Sequence, residues 1–163
     1  MPAGASPAAP MNRIAQLLPE ANILLDLEAT SKKRLFEQIG ALFEERAQIG
    51  RAVVFDSLFA REKLGSTGLG QGIALPHGRI KGLENALGAF VRPRQPIPFD
   101  APDGKPVTQV FVLLVPEHAT EEHLHLLSEL AGMFSERSFR DQLTTATDAG
   151  TLYRLFSNWE AAL

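Results

Sequence analysis

The feature that most constrains the fold is a near-continuous apolar run, Val107 to Val115, bounded by Pro106 and Pro116. Such a segment reads as a strand buried on both faces, which a sheet covered on one side only cannot accommodate. The chain around it alternates strand and helix patterns. Asn22–Leu27 reads as a first strand, after a short apolar segment, Ile14–Leu18, that Pro19 ends. Ser31 then opens a helix as its capping residue, with Leu35, Phe36, Ile39, Leu42 and Phe43 at helical spacing through Gln48, and Gly50 breaks it. A second helix is expected from about Val53 to Lys63. It places Val54, Phe55, Leu58 and Phe59 on one apolar arc, Asp56 and Lys63 away from it, and Arg61 at its edge in the last turn. Leu87–Val91 alternates like a strand, and Pro93, Pro96 and Pro98 mark an extended crossing. Helices are expected over Glu121–Phe134, Phe139–Leu143 and Thr151–Leu163. With no repeat and no interior linker, this is one α/β (α+β) domain over residues 11–163.

The first ten residues, MPAGASPAAP, bury too little to offset their ordering entropy and are expected to be a disordered tail. Met11 follows directly and offers a second candidate start. The remaining length is ample for a core without staples. The absence of cysteine excludes a disulfide scaffold, a thiolate zinc site, an iron–sulfur cluster and a cysteine nucleophile. A formal charge of −3 provides no global positive field for nucleic acid or an anionic membrane. The longest purely aliphatic and aromatic run, Val110–Val115, is far too short to span a bilayer, and the N-terminus lacks the basic and apolar regions of a signal peptide. No membrane insertion and a cytoplasmic location are the expectation.

Chemistry concentrates between Gly65 and Gly78, which hold five of the thirteen glycines. Glycines on a loop let backbone N–H groups reach an anion. The phosphate fingerprints fail, however. Gly65-Ser-Thr-Gly-Leu-Gly-Gln-Gly72 lacks the Gly-Lys-Ser/Thr ending of a P-loop, and the dinucleotide pattern begun by Gly68 and Gly70 meets Ile73 where it needs a third glycine. A tight turn and an anion cradle both fit this composition. His77, between Pro76 and Gly78, sits at a constrained strand-to-loop exit, where a structural and a catalytic role are both open. Ser66, Thr67 and the upstream Arg61 are its polar company.

His123 and His125 form an H-x-H pair, with His118 nearby. On a helix, residues two apart point about 200° from each other, so the pair cannot share one metal ion. His123 shares its face with Leu127, Leu130 and Phe134, whereas His125 lies with Glu121, Glu129 and Gly132. His123 therefore has a structural hydrogen bond or a site to serve, and His118 and His125 belong on the surface. No metal and no cofactor is expected.

The stretch Arg61-Glu-Lys-Leu-Gly-Ser-Thr-Gly-Leu-Gly-Gln-Gly-Ile-Ala-Leu-Pro-His-Gly78 closely resembles the phosphorylation-site signature of type-2 IIA proteins of the phosphoenolpyruvate-dependent phosphotransferase system. Val110–Pro116 followed by His123-Leu-His-Leu-Leu-Ser128 is similar to the family's second signature, and length and element order match from about residue 11 onward. The resemblance implies a mixed β-sheet flanked by helices on both faces, with the site in a shallow depression. It implies a phosphotransferase component in which His77 accepts a phosphoryl group from an HPr-like phosphocarrier, with His123 and Arg61 as its catalytic partners. Ser66, Thr67, Gly68, Gly70 and Gly78 would hold the phosphoryl oxygens, and apolar surface around the depression would dock the carrier. As a stand-alone unit with this wording, the chain most resembles the nitrogen-regulatory branch. That branch is served by an NPr-type carrier and signals through its phosphorylation state to regulatory protein targets such as transporters or kinases. A sugar-specific fructose- or mannitol-type IIA component, passing phosphate to a IIB partner, is the alternative. A binding module that has lost phosphotransfer is disfavoured by the intact His77, Arg61 and His123.

Overall fold

The computed structural model describes residues 12–118 and 121–160, so the tail expected over residues 1–10 lies outside the described residues. Along the chain, α1 (Arg13–Leu17) leads through a 3-10 turn (Glu20–Asn22) into β1 (Ile23–Leu27), and then come α2 (Lys32–Ala47) and α3 (Arg51–Lys63). Three short strands follow, β2 (Gly68–Gly70), β3 (Ile73–Ala74) and β4 (His77–Ile80). The order then continues with β5 (Leu87–Pro93), β6 (Gln109–Pro116), α4 (Glu121–Ser135), α5 (Arg137–Thr145) and α6 (Ala149–Asn158).

The apolar run forms β6, at the centre of a mixed sheet ordered β1-β5-β6-β3-β2. On one side β6 pairs antiparallel with β5; on the other it pairs parallel first with β3 and then with β4. Leu75 and Pro76 separate those two strands, and Leu113 N–H bridges the gap by donating to the Pro76 carbonyl at 3.0 Å. The period of two explains the demand for double cover. Val110, Val112 and Leu114 face a core built with Leu35, Phe36, Ile39, Phe43, Val54 and Leu58 of α2 and α3. Phe111, Leu113 and Val115 face the other core, formed with residues of α1, α4, α5 and α6. Helices thus lie on both faces of the sheet, as the resemblance implied.

Ser31 caps α2, its hydroxyl accepting from Arg34 N–H. Gly50 does not end that helix. Gln48 does, in the left-handed conformation at φ 57°, and Gly50 is the N-cap residue of α3, which starts at Arg51 rather than Val53. The terminal helix stops at Asn158 instead of continuing toward Leu163. At one edge of the sheet, β1 carries a register shift between Leu25 and Leu27, where Asp26 stands at φ 55°. At the other, β2 is three residues long and ends at Gly70, φ 89°.

Candidate functional site

His77 opens β4 rather than closing a strand, a correction to the expected strand-to-loop exit. The two-residue break at Leu75 and Pro76 ends β3, and pairing resumes with His77 opposite Leu113. Among the described residues β4 pairs with β6 alone, and residues of α3, β4, β6 and α4 line a cleft of about 700 Å³ at its open edge. His77, Arg61 and His123, far apart in sequence, all line it.

The close packing of α3 on β4 depends on Gly78. A Cβ there would stand 2.2 Å from Ser57 Oγ, whose hydroxyl donates to the Arg79 carbonyl at 2.9 Å. Gly78→Ala is therefore expected to push α3 off the strand and destabilise the protein by about 1–3 kcal/mol. Chemical denaturation checks this, and an unchanged midpoint would show that Ser57 yields without cost.

His77 Nδ1 lies 2.9 Å from the Leu75 carbonyl oxygen. A carbonyl can only accept, so Nδ1 carries the proton, and in the neutral ring Nε2 carries the lone pair. Burial lowers the His77 pKa from the ordinary histidine value; the Leu75 hydrogen bond opposes this, Arg61 adds to it and Glu62 opposes it. The ring is accordingly neutral and nucleophilic at neutral pH. Arg61 in the last turn of α3 donates to the Gly65 carbonyl at 2.8 Å, which fixes its guanidinium at the cleft wall.

His123 is half-buried in the first turn of α4, whereas His125 is exposed and does not line the cleft. His118 is also exposed. Among the described residues, no group of three His, Asp or Glu could hold a metal ion. No helix among them is long and apolar enough to cross a membrane.

Of the residues expected to hold phosphoryl oxygens, only Gly78 lines the cleft. Ser66 Oγ donates to the Phe99 carbonyl at 2.5 Å and accepts from Gly68 N–H at 3.0 Å. The Thr67 amide and hydroxyl both go to the Glu62 carboxylate. Gly68 lies against Ala101, where a Cβ would come within 2.8 Å, and Gly70 lies near Asp103. These residues are used in building the loop.

The sequence reading missed Arg79, which also lines the cleft. It lies two residues from His77 on the same face of β4, a signal visible only once that segment is recognised as a strand. Leu64 and Leu124, 85% and 60% exposed, line the cleft as well and present apolar surface beside it.

Residues 16–159 match the family described as phosphoenolpyruvate-dependent sugar phosphotransferase system, EIIA 2. A nitrogen regulatory protein of Pseudomonas aeruginosa is 45% identical over 146 residues, which cover 89% of this chain and 95% of that one. A fructose-specific EIIA component of Haloferax volcanii is 31% identical, with 85% and 91% coverage. The crystal structure of the nitrogen regulatory protein IIA-Ntr from Neisseria meningitidis superposes with a TM-score of 0.83 at 56% identity, covering 88% of this chain and 98% of that one. The chain belongs to the type-2 EIIA family of the phosphoenolpyruvate-dependent sugar phosphotransferase system, and within it resembles the nitrogen regulatory proteins.

Proposed function

We propose that this protein is a cytoplasmic phosphohistidine regulator, which accepts a phosphoryl group on His77 Nε2 from an HPr-like carrier of the NPr type. The observation that carries the reading is the Nδ1–Leu75 hydrogen bond inside a cleft lined by Arg61 and His123. The Nε2 lone pair attacks phosphorus in line, an N–P bond forms, and the donor's N–P bond breaks with its electron pair returning to the donor ring. No proton has to leave His77. The ring becomes cationic as the bond forms, and the Leu75 carbonyl, already on Nδ1–H, stabilises that charge. Arg61 and His123 face the equatorial oxygens, where phosphoryl transfer needs electrostatic support. Gly78 lines the cleft beside them, with Ser57 packed where its side chain would stand, while Ser66, Thr67, Gly68 and Gly70 hold the loop rather than the oxygens.

The carrier docks against Leu64 and Leu124, apolar surface beside a cationic cleft that suits a phosphorylated partner. Phosphorylation adds about −1.5 to −2 charges at this face, enough to change which regulatory targets, transporters or kinases among them, bind it. Higher identity to the nitrogen regulatory relative than to the fructose-specific one favours regulation over delivery to a sugar-specific IIB partner.

Incubation with a phosphorylated HPr-type carrier and intact mass spectrometry tests the reading: one acid-labile phosphoryl group is expected. No transfer from either a sugar-type or a nitrogen-type carrier would leave a binding module with a surviving scaffold. The two neighbouring histidines separate in the same assay. His123→Ala slows acceptance on the order of a hundredfold, as for loss of one transition-state donor, and His125→Ala is silent. Equal effects would contradict the placement of His123 on the phosphoryl group.

A further inference from the structure

Glu62 has no direct part in that chemistry, yet it is a carboxylate with only 4% of its side chain exposed. It accepts from Lys32 Nζ at 3.0 Å, from Thr67 N–H at 3.1 Å and from Thr67 Oγ1 at 2.6 Å. Lys32 is held in turn: it donates to the Phe99 carbonyl at 3.3 Å, lies 5.2 Å over the Phe99 ring and approaches Asp100 at 3.6 Å. Thr67 is thereby pinned through its amide and its hydroxyl at once.

The remaining polar group of Thr67 points onward. Its carbonyl accepts Leu75 N–H at 2.9 Å, and the Leu75 carbonyl accepts His77 Nδ1–H at 2.9 Å. Every link from Glu62 to the ring is a hydrogen bond or a single residue. We infer that Glu62 is a positioning residue for phosphoryl transfer: by clamping Thr67 it holds the Leu75 carbonyl where that carbonyl selects the Nδ1–H tautomer of His77. The tautomer of a histidine is set by the bond its other nitrogen makes, so a displaced Leu75 carbonyl releases the choice. The inference rests on the phosphotransfer reading above. A carboxylate that merely satisfied the Lys32 charge would affect stability and leave the ring alone.

The test compares wild type with Glu62→Gln, Thr67→Val and Thr67→Ser. The His77 tautomer is read by ¹⁵N NMR without any carrier, and acceptance rates are read against carrier concentration. Glu62→Gln and Thr67→Val are expected to develop an Nε2–H population and to slow transfer at saturating carrier by about tenfold to a hundredfold, the scale of a small misplacement at a reacting centre. The carrier KM changes little, and Thr67→Ser, which restores the hydroxyl, recovers both readouts. If Glu62→Gln fails to fold, the Thr67 pair answers the same question. A ring that stays wholly Nδ1–H in the variants while wild type transfers normally overturns the role of Glu62 alone. A wild type that accepts nothing overturns the phosphotransfer reading and this role with it.

Discussion

His77→Ala is expected to abolish phosphoryl acceptance outright while leaving a folded protein. The proposed mechanism has one nucleophile, His77 Nε2, and gives Arg61 and His123 the part of stabilising the transferring group. The strand continues through Ala at this position, so β4 keeps its pairing with β6. The Leu75 carbonyl loses its Nδ1–H partner, a cost of about 1 kcal/mol at neutral pH. Mass spectrometry after exposure to the phosphorylated carrier checks the first expectation; a variant that still takes one acid-labile group would move the acceptor elsewhere.

The same variant isolates the acid behaviour of His77. Burial is the main cause of its lowered pKa, so the folded ring refuses a proton that the unfolded chain takes up at the ordinary value of about 6.5. Between those two values the unfolded state binds more protons, and the wild type loses stability as pH falls. His77→Ala has no such slope. The stability advantage of wild type over the variant is therefore present above about pH 6.5 and shrinks below it. Paired urea titrations at about pH 7.5 and pH 5.5, on either side of the ordinary histidine value, measure it. A difference that stays constant with pH would mean that the folded ring titrates normally.

Phe156→Ala is expected to give the largest loss of stability. Phe156 is fully buried, and its ring meets four others: Phe90 at 5.0 Å, Phe139 at 5.5 Å, Phe111 at 5.6 Å and Phe134 at 6.1 Å between centroids. Those partners come from β5, β6, α4 and α5, so one side chain of α6 joins the strands to the helices of that layer. Truncation removes the transfer energy and leaves a cavity that four rings held in different elements cannot close together, a cost of about 3–5 kcal/mol. For a chain of this size that lowers Tm by roughly 6–20 °C. The cleft lies at the far end of α4: His123 is eleven residues from Phe134, about 16 Å along the helix. Phosphoryl acceptance well below the transition should consequently match wild type. A small loss of Tm, or an early loss of transfer, would show that this aromatic cluster is not the independent anchor its geometry suggests.

The parts of the fold that were legible in the sequence are those whose pattern is long. β6 announces itself by its apolar run, and α2 by its cap and five periodic apolar positions. β2 and β4 were not legible, because three or four residues show no clear period and their pairing is set by β3 and β6. Gln48 ended α2 where Gly50 was expected to break it, and its left-handed conformation lets Ile49 N–H donate to the Phe43 carbonyl at 3.4 Å. That His77, Arg61 and His123 line one cleft was readable from the family signatures and, for His123, from helical phase. Glu62 was not. A charged residue next to Arg61 on a helix end reads as solvated, and only the return of Thr67 and Lys32 onto it explains its burial. The partners of the Ser66 and Thr67 hydroxyls, Phe99 and Glu62, were hidden for the same reason, being set by tertiary structure.

The edges of the sheet have a colloidal consequence. An unpaired strand edge is the commonest template by which a chain adheres to copies of itself. Here the β1 edge is interrupted by the register shift at Asp26, the β2 edge ends after three residues at Gly70, and Ser57 of α3 bonds the Arg79 carbonyl of β4. Among the described residues no edge offers the long flat row of N–H and C=O groups that strand addition needs. Any contact between copies of this chain is thereby left to side-chain surfaces rather than to strand addition.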